Sequence, residues 1–401
     1  MGAEGQCKHA FPGQRDRSHP LDPPPEYAQM RSEEPLAAAT LWDGTETWLA
    51  TRYDDVRAVL LDTRFSSDPA NPGFPRHTPA SQELETRFLS KLDPPEHTAI
   101  RRMLLPAFSP RSMAAIEDVI EQIVNDLLDG LAQAPRPVDL VETFALLVPT
   151  FAICEILGAP AADRQLFYEC ASISLAPAST QEAGRTINKQ LNDYLDELIT
   201  IKQRDPGDDL ISHLLASQVA SGALSRNDLI HQARNLVVAG FDTTGNTIAL
   251  GVVLLLQHPE QLAELLADPS LWPRAVDEIL RYTTITHHGR RRAATVDIKV
   301  GNHLVRAGEG IIACQDAANR DSSAFPNPDV FDIHRDAHNQ VGFGYGQHRC
   351  LGAPLATLEL NLALRLLFER FPTLSLAVPV EELAFKYEHQ IYGLYSLPVT
   401  W

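Results

Sequence analysis

One cysteine constrains this chain more than any other residue. Cys350 lies in the run Phe343-Gly344-Tyr345-Gly346-Gln347-His348-Arg349-Cys350-Leu351-Gly352. Only a thiolate coordinates a metal, and backbone N–H groups, a metal and a helix N-terminus all lower a thiol's pKa. The run is suited to supply them. Gly344 and Gly346 let the backbone turn tightly and approach a flat ligand closely. Gly352 opens a helical stretch, Ala353 to Phe368, whose first N–H groups point back at the sulfur. The competing reading is a buried core cysteine behind a glycine-rich turn, the usual fate of a lone thiol. The motifs below weigh against it, and Cys350 is read as a metal-ligating thiolate.

Composition narrows the remaining classes. The 401 residues are 44% hydrophobic and carry a formal charge of -18, a balance that excludes nucleic acid and anionic membrane surfaces, which need clustered Lys and Arg. The five cysteines (Cys7, Cys154, Cys170, Cys314, Cys350) are odd in number and widely spaced, as expected of a reducing cytoplasm. The polar, proline-rich start is unlike a signal peptide. The apolar runs Phe144–Leu157 and Ile248–Leu256 fall short of the ~20 residues of a membrane span, so no membrane partner is expected.

The pattern along the chain is mainly helical with a small β region. Residues 1–25 read as an irregular tail, and 26–401 as one domain without a linker. Apolar residues around Asp43-Gly44 predict a hairpin over 38–51, and Val56, Val59 and Leu60 a helix over 53–61. Residues 65–91 read as a long loop of the kind that is often functional. In Leu92-Asp93-Pro94-Pro95-Glu96-His97, Asp93 suits a cap and Pro95 a first helical turn. His97 and Arg101 share a helical face and can reach one anion together, although taken alone a solvated face is the favoured reading. Helices are expected over 111–133, 136–157, 162–174 and 180–204. A long helix over 226–257, capped by Ser225, carries Ala239-Gly240-Phe241-Asp242-Thr243-Thr244, an unfavourable choice for a buried helix interior. It reads either as a tolerated kink or as a local opening where threonine bonds back to a carbonyl. Glu278 and Arg281 pair at i, i+3, which alone is an ordinary surface pair. The triplet Arg290-Arg291-Arg292 opens an extended segment, and short strands are expected within 298–313 and 374–400.

The Cys350 run matches, position for position, the haem-binding signature of the cytochrome P450 family, and the resemblance extends from about Trp42 to Pro398. It implies the P450 fold, with haem b held between the long distal helix and the Cys350 loop, in contact with Ala239, Gly240, Phe343, Gly344 and Gly352. It implies that His97, Arg101, Arg292 and His348 bind the propionates, with Arg290 and Arg291 left over as a solvated edge or a polar substrate contact. It implies that Thr243 donates protons and Asp242 relays them. It makes Glu278, Arg281 and Arg335 a structural triad, and places Leu236, Ile285, Thr286 and Ile391 at the substrate pocket beneath the 162–204 helices.

The implied activity is oxidation of a small hydrophobic molecule by O₂. Electrons would come from a ferredoxin-type partner with its reductase, docking near Arg102, Arg111 and Arg349. The runs Tyr53-Asp54-Asp55-Val56-Arg57, Asn71-Pro72-Gly73-Phe74-Pro75 and Leu304-Val305-Arg306-Ala307-Gly308-Glu309-Gly310 resemble soluble actinomycete-type enzymes that oxidise macrolides, sterols and other secondary metabolites. The same stretches resemble the fungal nitric oxide reductase branch, which takes electrons directly from NADH but lacks an acid at the Asp242 position. A non-enzymatic haem sensor or carrier is the third class, and it needs no Asp242–Thr243 pair.

Overall fold

Helix Arg226–Leu256 is the axis of the molecule. At 1.5 Å per residue its 31 residues span about 46 Å, and the Ser225 side chain caps it by accepting from the Asp228 N–H. The C-terminal half is apolar on every face because helices Leu147–Leu157, Trp272–Thr283 and Ala353–Arg370 pack around it. Among the described residues it alone has the length and composition to cross a membrane, yet 72% of its apolar window is buried inside the protein. A helix that is hydrophobic all round is read here as a core helix. The computed structural model describes residues 9–76, 88–175 and 181–401; Cys7 and residues 77–87 of the long loop lie outside them.

The β region lies beside this helical body. Its main sheet has the strand order His9–Ala10, Leu36–Thr40, Glu46–Ala50, Gly310–Ala313, Arg290–Ala294, Phe65–Ser66. The expected hairpin forms with Leu36 opposite Ala50 and Thr40 opposite Glu46. Helix Tyr53–Leu61 buries Val56, Val59 and Leu60 as their spacing predicts. A second sheet joins Ser375–Leu376, Pro398–Thr400 and Val138–Asp139, and Ile298–Val300 pairs with His303–Val305 as a small hairpin.

Four expectations change in detail. Residues 9–25 are largely irregular, as expected, but they are not a loose tail. His9–Ala10 pairs in parallel with Ala39–Thr40, and the guanidinium of Arg15 is buried against Asp316 Oδ2 at 3.5 Å and over the Tyr392 ring at 4.1 Å. The helix expected over 136–157 is interrupted: Val138–Asp139 joins the second sheet, a π-turn covers Val141–Ala145, and the helix runs only from Leu147 to Leu157. Pairing with Pro398–Val399 withdraws those first residues from a helical ladder. Asp93 caps no helix; its carboxylate accepts from the Ser67 N–H at 2.8 Å and from the Ser66 hydroxyl. A short helix at Leu210–Leu214, capped by Asp209 through the Ser212 N–H at 2.8 Å, was not foreseen.

Candidate active site

The Cys350 loop gets its shape from two left-handed glycines. Gly344 has φ +77° and Gly346 φ +68°, a region that side chains disfavour. A Cβ on Gly346 would also lie 2.8 Å from the Leu60 carbonyl oxygen, so the loop is pressed against helix Tyr53–Leu61. The Cys350 N–H donates to the Phe343 carbonyl at 2.8 Å, closing the loop immediately before helix Ala353–Arg370 begins. The expected lowering of the thiol pKa is not what the protein alone produces. Burial raises it, opposed first by Arg290, then by the Gly352 N–H, Arg349 and Arg101. The helix N-terminus thus contributes as anticipated, but desolvation outweighs it until a positive ion arrives.

Opposite Cys350, the long helix borders a cavity of about 460 Å³. Leu236, Ala239, Gly240 and Thr243 line it from the helix, Ile285, Thr286, Arg290 and Arg292 from the β side, and Gln390 and Ile391 from the C-terminal turn. Thr286 and Ile391 form an isolated antiparallel bridge, which joins the last two walls. Phe74 and residues 88–91 of the long loop also line it, whereas none of the described residues of 162–204 does. Nothing lies within 4 Å of a Cβ built on Gly240, so the helix presents bare backbone to open space there. The helix shows no local opening: it is continuous through Ala239–Thr244. The Thr243 hydroxyl donates to the Ala239 carbonyl at 2.7 Å.

Beside Cys350 the cavity is ringed by nitrogen donors. His97, Arg101, Arg292 and His348 all line it, with the two imidazoles 4.0 Å apart between ring centroids. Both ring nitrogens of His97 and Nδ1 of His348 are buried without a hydrogen-bond partner, while Nε2 of His348 meets the Ser67 hydroxyl at 3.1 Å. Burial, then Arg292, holds the His348 pKa down to about 2; burial, then Arg101, lowers that of His97. Buried polar atoms are normally satisfied. Orphaned donors on His97 and His348, grouped with two arginines, are a site for carboxylates. Together with the Cys350 sulfur and the bare Gly240, they fit a flat, dianionic macrocycle.

Not every expected residue faces the cavity. Asp242 is turned away from it, 4% exposed, with Oδ1 accepting from Lys386 Nζ at 3.1 Å and from Asn246 Nδ2 at 2.5 Å. Sequence reasoning missed Lys386, which comes from the C-terminal β region 144 positions away. It also missed Glu359, a cavity-lining acid that is 2% exposed, with a hydrogen bond from Thr244. Burial pushes its pKa up to about 8. A signal for it existed: Glu359 falls four residues after Leu355 and four before Ala363, on the apolar stripe of its helix. The Glu278–Arg281–Arg335 triad is away from the cavity and is no surface pair. Arg281 Nε lies 2.6 Å from Glu278 Oε2, both side chains 0% exposed, and Arg335 Nε is 3.1 Å from Oε1. Arg281 also donates to the Asn319 and Pro328 carbonyls at 2.8 Å, and Arg335 to those of Asn327 and Val330 at 3.0 Å. The triad therefore anchors the 326–335 segment that leads to the cysteine loop.

Comparison with known proteins places this geometry. The cytochrome P450 family model matches residues 23–164 and 160–382. The vitamin D3 dihydroxylase of Streptomyces griseolus is 43% identical over 396 residues, covering 98% of this chain and 97% of the relative. The 20-oxo-5-O-mycaminosyltylactone 23-monooxygenase of Streptomyces fradiae is 43% identical over 387 residues, covering 96% and 91%. The crystal structure of GfsF superposes with a TM-score of 0.94 at 40% identity, covering 98% of this chain and 100% of that one.

Proposed function

The chain belongs to the cytochrome P450 family and is a haem-thiolate monooxygenase, and we propose that it oxidises an apolar secondary metabolite of the macrolide, terpenoid or steroid kind. The observation that carries the site assignment is the set of unsatisfied nitrogens on His97 and His348 in a cavity that also contains the Cys350 thiol. In this reading Cys350 is the iron ligand. His97, Arg101, Arg292 and His348 hold the propionates, Arg by its planar fork. Phe343, Gly344, Gly352, Ala239 and Gly240, which line the same cavity, would border the group. Haem b held there would supply the activation of O₂, with electron density from the Cys350 thiolate.

The protein's own part is to place substrate and protons. Leu236, Ile285, Thr286 and Ile391 form the wall against which the substrate lies and which excludes water. The Thr243 hydroxyl is the proton donor nearest the bare Gly240 backbone. Its proton is engaged by the Ala239 carbonyl, so donation requires rotation about χ1. Asp242, held by Lys386 and Asn246, is the acid that restocks it from the side of the helix turned away from the cavity. Electrons come from a small ferredoxin with its reductase, and Arg102, Arg111 and Arg349, all exposed, are the cations for an acidic partner. Residues 26–401 act as one domain. A cytoplasmic setting suits the free thiols Cys154, Cys314 and Cys350. The relatives named as hydroxylating enzymes favour this reading over nitric oxide reduction or gas sensing.

The test is Cys350→Ser. The reduced carbonyl complex of the wild type should show the strongly red-shifted Soret band of thiolate ligation, and the variant should lose it. A variant that keeps that band removes Cys350 as the ligand.

A further inference from the structure

The cavity is basic in a chain whose formal charge is -18. Among the described residues it is lined by Lys91, Arg101, Arg290, Arg291, Arg292 and Arg349, and by a single acid, Glu359. Most of these cations have work. Arg101 and Arg292 belong with His97 and His348 to the propionate set. Arg349 is exposed beside the cysteine. Arg291 borders the cavity with its guanidinium engaged, donating to the Pro75 carbonyl at 3.3 Å and lying 5.4 Å over the Phe74 ring.

Arg290 is left over. Two residues before Arg292 on the same strand, it projects from the same face. That places it about 6.6 Å further along the strand, next to Gly289 and the Ile285–Thr286 wall. Arg290 also acts on His348, but less strongly than Arg292 does, and on His97 it is Arg101 and Arg292 that act. Among the described residues no carboxylate pairs with Arg290, and the one acidic group that reaches it is the Cys350 thiol, whose ionisation burial opposes. A guanidinium remains charged in any protein, and a charged group enclosed without a partner is unfavourable until one arrives. The four other donors already match two propionates, so haem does not provide that partner.

We propose that the substrate carries a carboxylate that pairs with Arg290, its apolar body lying along Leu236, Ala239, Ile285 and Ile391. This deepens the monooxygenase reading and rests on it: the substrate is an apolar acid, not a neutral skeleton. The planar fork of Arg290 would bind both carboxylate oxygens, fixing one end of the molecule and so choosing which carbon faces the oxidant.

The experiment is a spin-state titration of the ferric holoenzyme with matched probes: dodecanoate against methyl dodecanoate and dodecanol, and abietate against methyl abietate. The wild type should bind at least one acid about 10- to 100-fold more tightly than its ester, the range expected for a charged hydrogen bond. Arg290→Gln should erase that preference while leaving ester affinity unchanged. Arg290→Lys should restore part of it, keeping the charge but not the fork. Absence of an Arg290-dependent preference for either acid overturns the proposal. So does haem loss in Arg290→Gln and Arg290→Lys alike, because Arg290 then belongs to the propionate set. In both cases the red-shifted carbonyl Soret band of the wild type still supports the monooxygenase reading. Only its absence from the wild type would sink that reading itself.

Discussion

Replacing Glu278 by alanine should be among the most damaging single changes outside the cavity. Four donors converge on its carboxylate: Arg281 Nε at 2.6 Å, Arg281 Nη2 at 2.8 Å, Arg335 Nε at 3.1 Å and the Asp332 N–H at 3.1 Å. Glu278 and Arg281 have no exposed side-chain surface, and Arg335 has 9%. Water cannot replace the lost acceptor, and two guanidinium groups are left buried without a counter-charge. Breaking a buried pair in this way costs about 3–5 kcal/mol, against a total stability of ~5–15 kcal/mol. Glu278→Gln keeps the shape and one accepting oxygen, but its NH2 would face guanidinium donors and the counter-charge is lost, so a comparable cost of about 3–5 kcal/mol is expected. In urea, with a slope of about 3 kcal/mol/M, a loss of 4 kcal/mol lowers the midpoint by roughly 1.3 M. Arg335 ties the 326–335 segment to helix Trp272–Thr283, so the loosened chain should also release Cys350. Part of the Glu278→Ala carbonyl complex should then lack the red-shifted Soret band. A midpoint within about 0.3 M of wild type, with the thiolate spectrum intact, would refute the clamp.

Two further outcomes follow from the cavity. Thr243→Ala should retain haem and substrate binding but divert electrons into hydrogen peroxide, lowering product per electron pair roughly tenfold or more; unchanged coupling in a product-versus-peroxide assay removes Thr243 as the proton donor. Glu359 should impose a pH dependence on stability. Its carboxyl titrates near 4.5 when unfolded and about 8 when folded, so between those values the folded state holds the extra proton. Stability should then fall as pH rises through that window, by up to ~1.4 kcal/mol per unit. Glu359→Gln should flatten this slope in urea midpoints measured from pH 5 to 8; an identical slope in both proteins contradicts a buried, protonated Glu359.

Much of the site was legible in the sequence because its signals are local. The Cys350 run needs glycines at Gly344 and Gly346 for backbone reasons internal to the loop, and both adopt positive φ. His97 and Arg101 are one helical turn apart, and a turn is enough to bring them together. The hairpin at Asp43-Gly44 and the helix at Tyr53–Leu61 follow from turn chemistry and apolar period alone. Residues 136–146 were misread for the opposite reason: their composition permits a helix, and only a strand more than 250 positions away withdraws them from one.

Side-chain partners across the fold were beyond local pattern. Whether Asp242 faces the cavity or the Lys386 ammonium depends on where the C-terminal β region packs. That Arg15, in an apparently featureless start, is buried against Asp316 depends on the sheet edge that receives His9–Ala10. The three consecutive arginines show the division most clearly. Strand alternation, a property of the sequence, sends Arg290 and Arg292 one way and Arg291 the other. The packing of the strand then sets all three at a cavity with His97 and His348 at one end and an apolar wall at the other, Arg291 engaged by the Pro75 carbonyl and Arg290 without a carboxylate among the described residues. Local pattern was enough for the chemistry on offer, a thiol in a glycine turn, an imidazole one turn from an arginine and an alcohol on the long helix, because each is encoded within a turn or two of backbone. The fold decided which charges stay unpaired, because pairing depends on distances between segments that no local rule contains.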